Sequence, residues 1–165
     1  MLDEAIAEDR RAIELDPSLA DAYWHLGCVM RLIGEFRTSL ELFDQAIWLS
    51  PHDPFRASWL ADKAGSHLAM KQYEPAIESA RAAIAVNPKR GNPYLFLIVA
   101  LSMTDQESQA HEAFQGYLAL PQAVKTLEGW KSTRARFVNE RSDPRYVEYW
   151  DLLFEGLRKA GVPEA

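Results

Sequence analysis

The sequence predicts an all-α fold, a right-handed α-solenoid of helix-turn-helix hairpins with capping helices at its C-terminal end. Three prolines carry this prediction, because Pro17, Pro51 and Pro88 each end a similar apolar segment (AIELDP, AIWLSP and AIAVNP). They are 34 and 37 residues apart, and Pro121 follows after 33 more. Proline stops a helix, and a period of about 34 residues is the length of one helical hairpin in a repeat protein.

Small residues precede these prolines at matching distances, which supports the repeat. Such residues lie on one face of a helix and let its neighbour approach closely. The fourth unit keeps Ala110 and Phe114 but has Tyr117 where a small residue is expected, so we expect a distorted unit near the end of the array. The positions in the first three units are Ala5, Asp9 and Ala12; Ser39, Phe43 and Ala46; and Ala76, Ala80 and Ala83.

The first helix of each unit follows an aromatic, leucine, small-residue pattern. The middle unit departs from it, because Lys63 replaces the expected leucine and the turn SPHDPFRAS has three extra residues. The residues that carry the pattern are Tyr23, Leu26, Gly27 and Met30; Trp59, Leu60 and Ala64; and Tyr94, Leu97, Ile98 and Leu101. The predicted helices are 2–15, 20–33, 36–49, 55–70, 73–86, 92–103 and 107–119.

Two further helices are expected after Pro121, where the period is lost. One lies near 122–138, and the other begins at Ser142-Asp143-Pro144, where a capping side chain precedes a proline of the first turn. The second helix stops at Gly161. Its apolar face covers the open end of a solenoid, and it is formed by Tyr146, Trp150, Leu153, Phe154 and Leu157.

The predicted organisation is a repeat array over 1–121 and a helical cap over 122–165. The array comprises a half repeat, 1–17, and full repeats at about 20–51, 55–88 and 91–121. Helix 2–15 would be the second half of a hairpin, so its apolar face lacks a partner within the repeat. We expect that face to pack against an upstream helix or against a second copy of the chain, forming a homodimer. It is formed by Leu2, Ala5, Ile6 and Ile13.

On these residues, segment 1–121 resembles the tetratricopeptide repeat (TPR) family. The tail SDPRYVEYWDLLFEGLRKAGVPE, with EGLRKAGVPE as its most specific part, is similar to the region that follows the catalytic or DNA-binding domain in certain bacterial proteins. Those proteins are class III adenylate/guanylate cyclases and winged-helix transcriptional regulators. The resemblance implies a non-catalytic protein–protein interaction segment, regulatory or scaffolding, of a bacterial signalling protein. The alternative that it leaves open is a self-association module of such a protein.

A stack of hairpins exposes its first helices on a concave side, which is the predicted protein-binding groove. Two alternatives remain open: the aromatic residues pack in the core, or residues 122–160 fold back and fill the groove. The groove lacks the Lys and Asn set with which some chaperone-binding relatives grip a terminal carboxylate. The predicted groove residues are Trp24, His25, Cys28, Arg31, Asp62, Gly65, Leu95, Phe96, Val99 and Ser102.

Composition and charge argue against several other functions. The net charge of −6 disfavours nucleic acid as a partner, although residues 125–145 carry six interspersed cations. A single cysteine, Cys28, is typical of a cytoplasmic protein, and no apolar run is long enough to span a membrane. The cations are Lys125, Lys131, Arg134, Arg136, Arg141 and Arg145.

The pattern of reactive residues predicts no enzyme, no cofactor and no metal. The four histidines are scattered, without the spacing that places two imidazoles on one helical face. His25 and Cys28 are three residues apart and share a face, but a buried structural thiol is the expected state of this pair. The remaining histidines are His52, His67 and His111.

Overall fold

The computed structural model describes residues 2–165, and every regular element in this range is an α-helix. Met1, the first residue of the predicted half repeat, lies outside the described residues. Over residues 2–165, no helix combines the length and the apolarity needed to cross a bilayer. The helices are α1 (Leu2–Leu15), α2 (Ala20–Leu32), α3 (Phe36–Leu49), α4 (Arg56–Ala69), α5 (Tyr73–Val86), α6 (Asn92–Met103), α7 (Glu107–Leu118), α8 (Leu127–Arg134) and α9 (Pro144–Lys159).

The first seven helices stack in the order of the sequence. Each packs chiefly against the helix before it and the helix after it, and the first helices of successive hairpins, α2, α4 and α6, also touch one another. This is the arrangement of a solenoid rather than of a bundle around one central core. The predicted fold class is therefore confirmed.

The small residues of the repeat form the contact between paired helices. Ala46, Ala76, Ala80 and Ala83 are fully buried. The hydroxyl groups of Ser39 and Ser66 are also buried, and their Oγ atoms lie 2.7 Å apart in a hydrogen bond that joins α3 to α4. Close approach between helices therefore depends on these side chains being small.

Gly27 marks the closest approach within the first complete hairpin. A methyl group at this position would lie 2.6 Å from a ring carbon of Phe43, which is itself fully buried. The glycine of α2 therefore makes room for the aromatic ring of α3. This explains in physical terms why the sequence pattern has a glycine there.

The two helices after the repeats differ in how well the sequence predicted them. Helix α8 covers only residues 127–134, because the segment that follows Leu118 forms turns until Thr126 caps the helix by accepting from Gly129 N–H at 3.2 Å. Helix α9 begins as predicted, with Asp143 accepting from Arg145 N–H at 2.9 Å. Its end is followed by Gly161 at a φ of +79°, a left-handed conformation that favours glycine.

Tyr117, which breaks the small-residue pattern, connects the last repeat to α8. Its ring is buried and stacks on Trp130, with 6.1 Å between the ring centroids. Its hydroxyl oxygen accepts a hydrogen bond from Val124 N–H at 2.7 Å. Tyr117, which stands where the repeat pattern has a small residue, thus stabilises the turn that leads to α8.

Candidate functional site

Helix α9 lies on the concave side of the solenoid. It packs chiefly against α6 and, to a lesser extent, against α4. At its closest approach there is no room for a side chain, because a methyl group at Gly156 would lie 2.5 Å from Val99 Cγ1 and 3.0 Å from Val99 Cα. The chain therefore fills part of its own groove, as one of the alternatives from the sequence proposed.

The first turn of α9 is held at the other end of the groove by Arg145. Its guanidinium donates to Glu35 Oε1 at 2.9 Å, to the carbonyl of Ile33 at 3.0 Å and to Asp143 Oδ1 at 3.0 Å. The first two acceptors belong to the turn between α2 and α3. Helix α9 therefore spans the concave side from the first complete hairpin to the third.

The predicted groove residues divide into two groups in this structure. Those on α4 and α6 that lie towards α9 are buried: Gly65, Leu95, Phe96, Val99 and Ser102. Leu95, Phe96 and Val99 belong to the same hydrophobic core as the aromatic face of α9. While α9 covers these five residues, a partner cannot contact them. Their role in partner binding therefore stays a prediction, and it requires α9 to move away from the groove.

The second group surrounds the carboxylate of Asp62. Trp24 Nε1 donates to Asp62 Oδ2 at 2.9 Å, Arg31 Nη2 donates to Asp62 Oδ1 at 3.3 Å, and the Cys28 thiol donates to Asp62 Oδ2 at 3.8 Å. All four side chains are partly buried, whereas His25 is exposed and lies beside Trp24, with ring centroids 4.8 Å apart. Sequence analysis named these five residues, but not the ion pair that organises them.

Burial and the neighbouring charges change the acidity of this group. Burial raises the pKa of the Cys28 thiol to about 12, and the Asp62 carboxylate adds to the increase. Burial is the largest single influence on Arg31 and lowers its pKa, but the Asp62 carboxylate acts together with Tyr149, Tyr146 and Cys28 in the opposite direction, so the pKa of Arg31 is raised overall. Burial likewise raises the pKa of Tyr149, whose ring lies close by on α9. At neutral pH the site thus holds a neutral thiol beside an ion pair, which is unsuited to nucleophilic catalysis.

We expect Cys28 to react slowly with iodoacetamide in the folded protein. A pKa near 12 instead of 9.0 lowers the thiolate fraction at pH 8 by about three orders of magnitude. The thiolate of a weaker acid is more nucleophilic, so the net slowing is on the order of 100-fold. Mass spectrometry of labelling against time, with the urea-unfolded chain as control, measures it, and equal rates in the two states would contradict the assignment.

A cavity of about 270 Å³ lies beside the Asp62 group, between the concave side and the two C-terminal helices. Cys28, Arg31 and Asp62 line one part of it, and six aromatic rings line most of the rest. Sequence analysis did not find this cavity, because its walls come from helices that are far apart in the chain. The rings are those of Phe96, Trp130, Phe137, Tyr146, Tyr149 and Trp150.

A second feature that sequence analysis missed is a set of exposed apolar side chains at the turns between repeats. They lie at the last residues of α1, α3 and α5 or in the turns that follow, and Trp48 and Leu15 are 72% and 70% exposed. A solenoid places the equivalent turns of successive repeats along one edge. We call this set the turn edge: Leu15, Leu19, Trp48, Phe55 and Val86.

Some of the cations in the basic stretch form surface ion pairs. Within the basic stretch, Lys131 pairs with Glu128 at 3.2 Å, and Arg134 pairs with Asp151 at 3.5 Å. Among residues 2–165, no three His, Cys, Asp or Glu side chains come together in a group that could hold a metal ion.

The helix order and the concave first-helix face define a solenoid of the TPR type. Solved structures with this fold include MamA from Desulfovibrio magneticus RS-1, which shares 18% identity over 95% of this chain and 86% of its own, with a TM-score of 0.68. YrrB, described as a TPR protein with an unusual peptide-binding site, shares 16% identity over 98% of this chain and 80% of its own, with a TM-score of 0.65.

PilF from Pseudomonas aeruginosa shares 23% identity over 94% of this chain and 68% of its own, with a TM-score of 0.67. No protein-family model and no curated protein matches the chain. Similarity at these identities concerns the fold. The chain is therefore an all-helical repeat protein of TPR architecture.

Proposed function

We propose that this protein is a non-catalytic protein–protein interaction module that presents its turn edge to a protein partner. The observation that carries the proposal is the exposure of large apolar side chains near the ends of the second helices of successive repeats and in the turns that follow them. Contiguous exposed apolar surface marks contact sites on soluble proteins. The peptide-binding site of YrrB, a protein with the same fold, supports the same class of function.

Trp48 and Phe55 are the central residues of this surface. They flank the turn between α3 and α4, and Phe55 belongs to the segment with three extra residues. Tryptophan and other aromatic residues contribute most to the affinity of protein interfaces. The irregular turn therefore adds an anchor that the repeat pattern alone does not provide.

The concave groove is the competing surface. Helix α9 covers its α4 and α6 part, so the part available to a partner is the first half of α2, where His25 is exposed. The partner-binding role of Trp24, His25, Cys28, Arg31 and Asp62 belongs to this second version of the proposal. Single variants on the two surfaces distinguish them.

The double variant Trp48→Ser/Phe55→Ser is expected to lose at least tenfold of its partner capture, because truncating one anchor residue costs about 2 kcal/mol or more. Immobilised protein is incubated with native bacterial lysate, and bound proteins are quantified by mass spectrometry. His25→Ala is the control on the groove. All three positions are exposed, so neither variant is expected to unfold the protein. Undiminished capture by the double variant, with loss in His25→Ala, would assign binding to the groove.

Self-association is the alternative function, and one observation favours it. Helix α1 has no fully buried residue, and Leu2 and Leu15 are exposed. If these surfaces join two copies, light scattering gives twice the chain mass for the wild type. A strict monomer at all concentrations excludes this alternative and leaves a different protein as the partner.

We also propose that the chain is the regulatory or scaffolding segment of a bacterial signalling protein. This part rests on the similarity of EGLRKAGVPE and the preceding helix to the tails of cyclases and winged-helix regulators. The helix of this tail, α9, packs against α6 and α4 on the concave side, which is compatible with a regulatory segment.

A further inference from the structure

The aromatic cavity beside Asp62 has walls suited to a flat molecule. Four of its six rings belong to α9 or to the segment that leads from α8 towards it. Ring pairs hold the walls in place: Phe137 stacks on Trp150 at 6.1 Å, and Tyr146 packs against Tyr149 at 6.0 Å between centroids. Aromatic walls favour a ligand with its own ring system, which stacks or packs edge-to-face against them.

Three buried N–H donors belong to residues that line this cavity. Arg31 Nε, Trp130 Nε1 and Trp150 Nε1 have no hydrogen-bond partner within the protein. Indole and guanidinium nitrogens are donors only, so each needs an acceptor. The hydroxyl of Tyr149, which also lines the cavity, has no partner either. Four other N–H donors are buried without a partner on side chains that do not line this cavity: Arg56 Nε, Trp59 Nε1, Arg90 Nε and Arg134 Nε. The concentration of three such donors around one cavity indicates that acceptor atoms bind there.

The charges around the cavity cancel. Arg31 and Asp62 are the side chains with a formal charge among the residues that line it, and they pair with each other at 3.3 Å. No charge is left to attract an ion of either sign. A neutral ligand therefore fits better than an anion or a cation, because burying an uncompensated charge is costly.

We propose that this cavity binds a small, planar, uncharged molecule with oxygen or nitrogen acceptor atoms. Its volume of about 270 Å³ lies near the lower end of the range for ligand pockets, roughly 300–1,000 Å³, and suits a molecule of about two fused rings. Phe137 lines the cavity and is itself 52% exposed. This site is separate from the turn edge, so the inference does not depend on the proposed protein partner.

Coumarin and naphthalene form a matched pair of probes, because both are flat two-ring molecules and coumarin alone has acceptor oxygens. The five tryptophan indole N–H signals are followed by ¹⁵N-edited NMR during titration of the intact chain. We expect coumarin to shift the signals of Trp130 and Trp150 and to leave that of Trp48 in place. We expect it to bind about tenfold more tightly than naphthalene, since each buried donor that gains an acceptor contributes at about this level.

The variants Trp130→Phe and Trp150→Phe remove one donor each and keep an aromatic wall. Each is expected to weaken coumarin binding several-fold while naphthalene binding changes little, and Trp48→Phe is the surface control. If neither variant folds, the ratio of the wild-type protein's affinities for coumarin and naphthalene still tests the proposal. Absence of coumarin shifts at Trp130 and Trp150, equal shifts at Trp48, or equal affinity for the two probes would each overturn the proposal.

Discussion

Replacing Gly156 by leucine is expected to dislodge α9 from the concave side. Even the first carbon of a side chain would lie 2.5 Å from Val99 Cγ1 and 3.0 Å from a backbone atom, and Val99 is fully buried. Adding atoms to a packed core costs about 1–3 kcal/mol and more where the backbone is in the way. We expect a loss of about 3 kcal/mol, which lowers Tm by about 6–12 °C for a chain of this size.

The experiment compares Gly156→Leu with Glu155→Leu, the exposed neighbour on the same helix. Thermal unfolding by circular dichroism gives Tm, and iodoacetamide labelling of Cys28 reports whether the concave side has opened. The Glu155 variant is expected to keep the wild-type values. A Gly156 variant with normal Tm and slow labelling would show that α9 and α6 are not in the contact described.

Asp62→Asn is expected to lower the free energy of unfolding by about 3 kcal/mol. The substitution leaves the guanidinium of Arg31 partly buried without a counter-charge, and removing one partner of a buried ion pair costs about 3–5 kcal/mol. The pair retains some contact with solvent, which places the effect at the lower end of that range. Chemical denaturation with urea measures it.

Asp44→Asn is the matched control. Asp44 also forms an ion pair across two helices, with Lys63, but its side chain is 57% exposed. Exposed pairs contribute about 0–1 kcal/mol, so this variant is expected to change little. The double variant Asp62→Leu/Arg31→Met is expected to regain most of the loss, because apolar residues of similar volume replace buried ion pairs well. Equal losses in the two single variants would contradict the importance assigned to Asp62.

Asp62→Asn also tests the cause of the unreactive thiol. The carboxylate raises the pKa of Cys28, and Arg31 opposes it. The substitution removes the carboxylate that raises the pKa of Cys28 and keeps the Arg31 charge that lowers it, so this pKa is expected to fall. We expect iodoacetamide to label Cys28 faster at pH 8 in the folded Asp62→Asn variant than in the folded wild-type protein.

The repeat array could be predicted from the sequence because its signals are local. Prolines mark the ends of α1, α3 and α5, and small residues such as Ala46 and Ala80 mark the faces that pack, all within one unit of the chain. Predicted and observed helix ends agree within about two residues for α1 to α7. The physical cause, close packing of neighbours in the sequence, is the same in every repeat.

The position of α9 could not be predicted in this way. Its apolar face was visible in the sequence, but an amphipathic pattern does not tell which surface a helix covers. The decisive contacts, Gly156 with Val99 and Arg145 with Glu35, join residues far apart in the chain. The cavity and the ion pair of Asp62 were hidden for the same reason.

The contact between Arg145 and Glu35 also has a consequence for how the chain acquires its structure. The hairpins close short loops and are expected to form early, whereas this contact closes a loop of 110 residues and pays more entropy. Docking of α9 is therefore expected to come last during folding. Until α9 docks, the chain itself does not cover the inner face of its repeats.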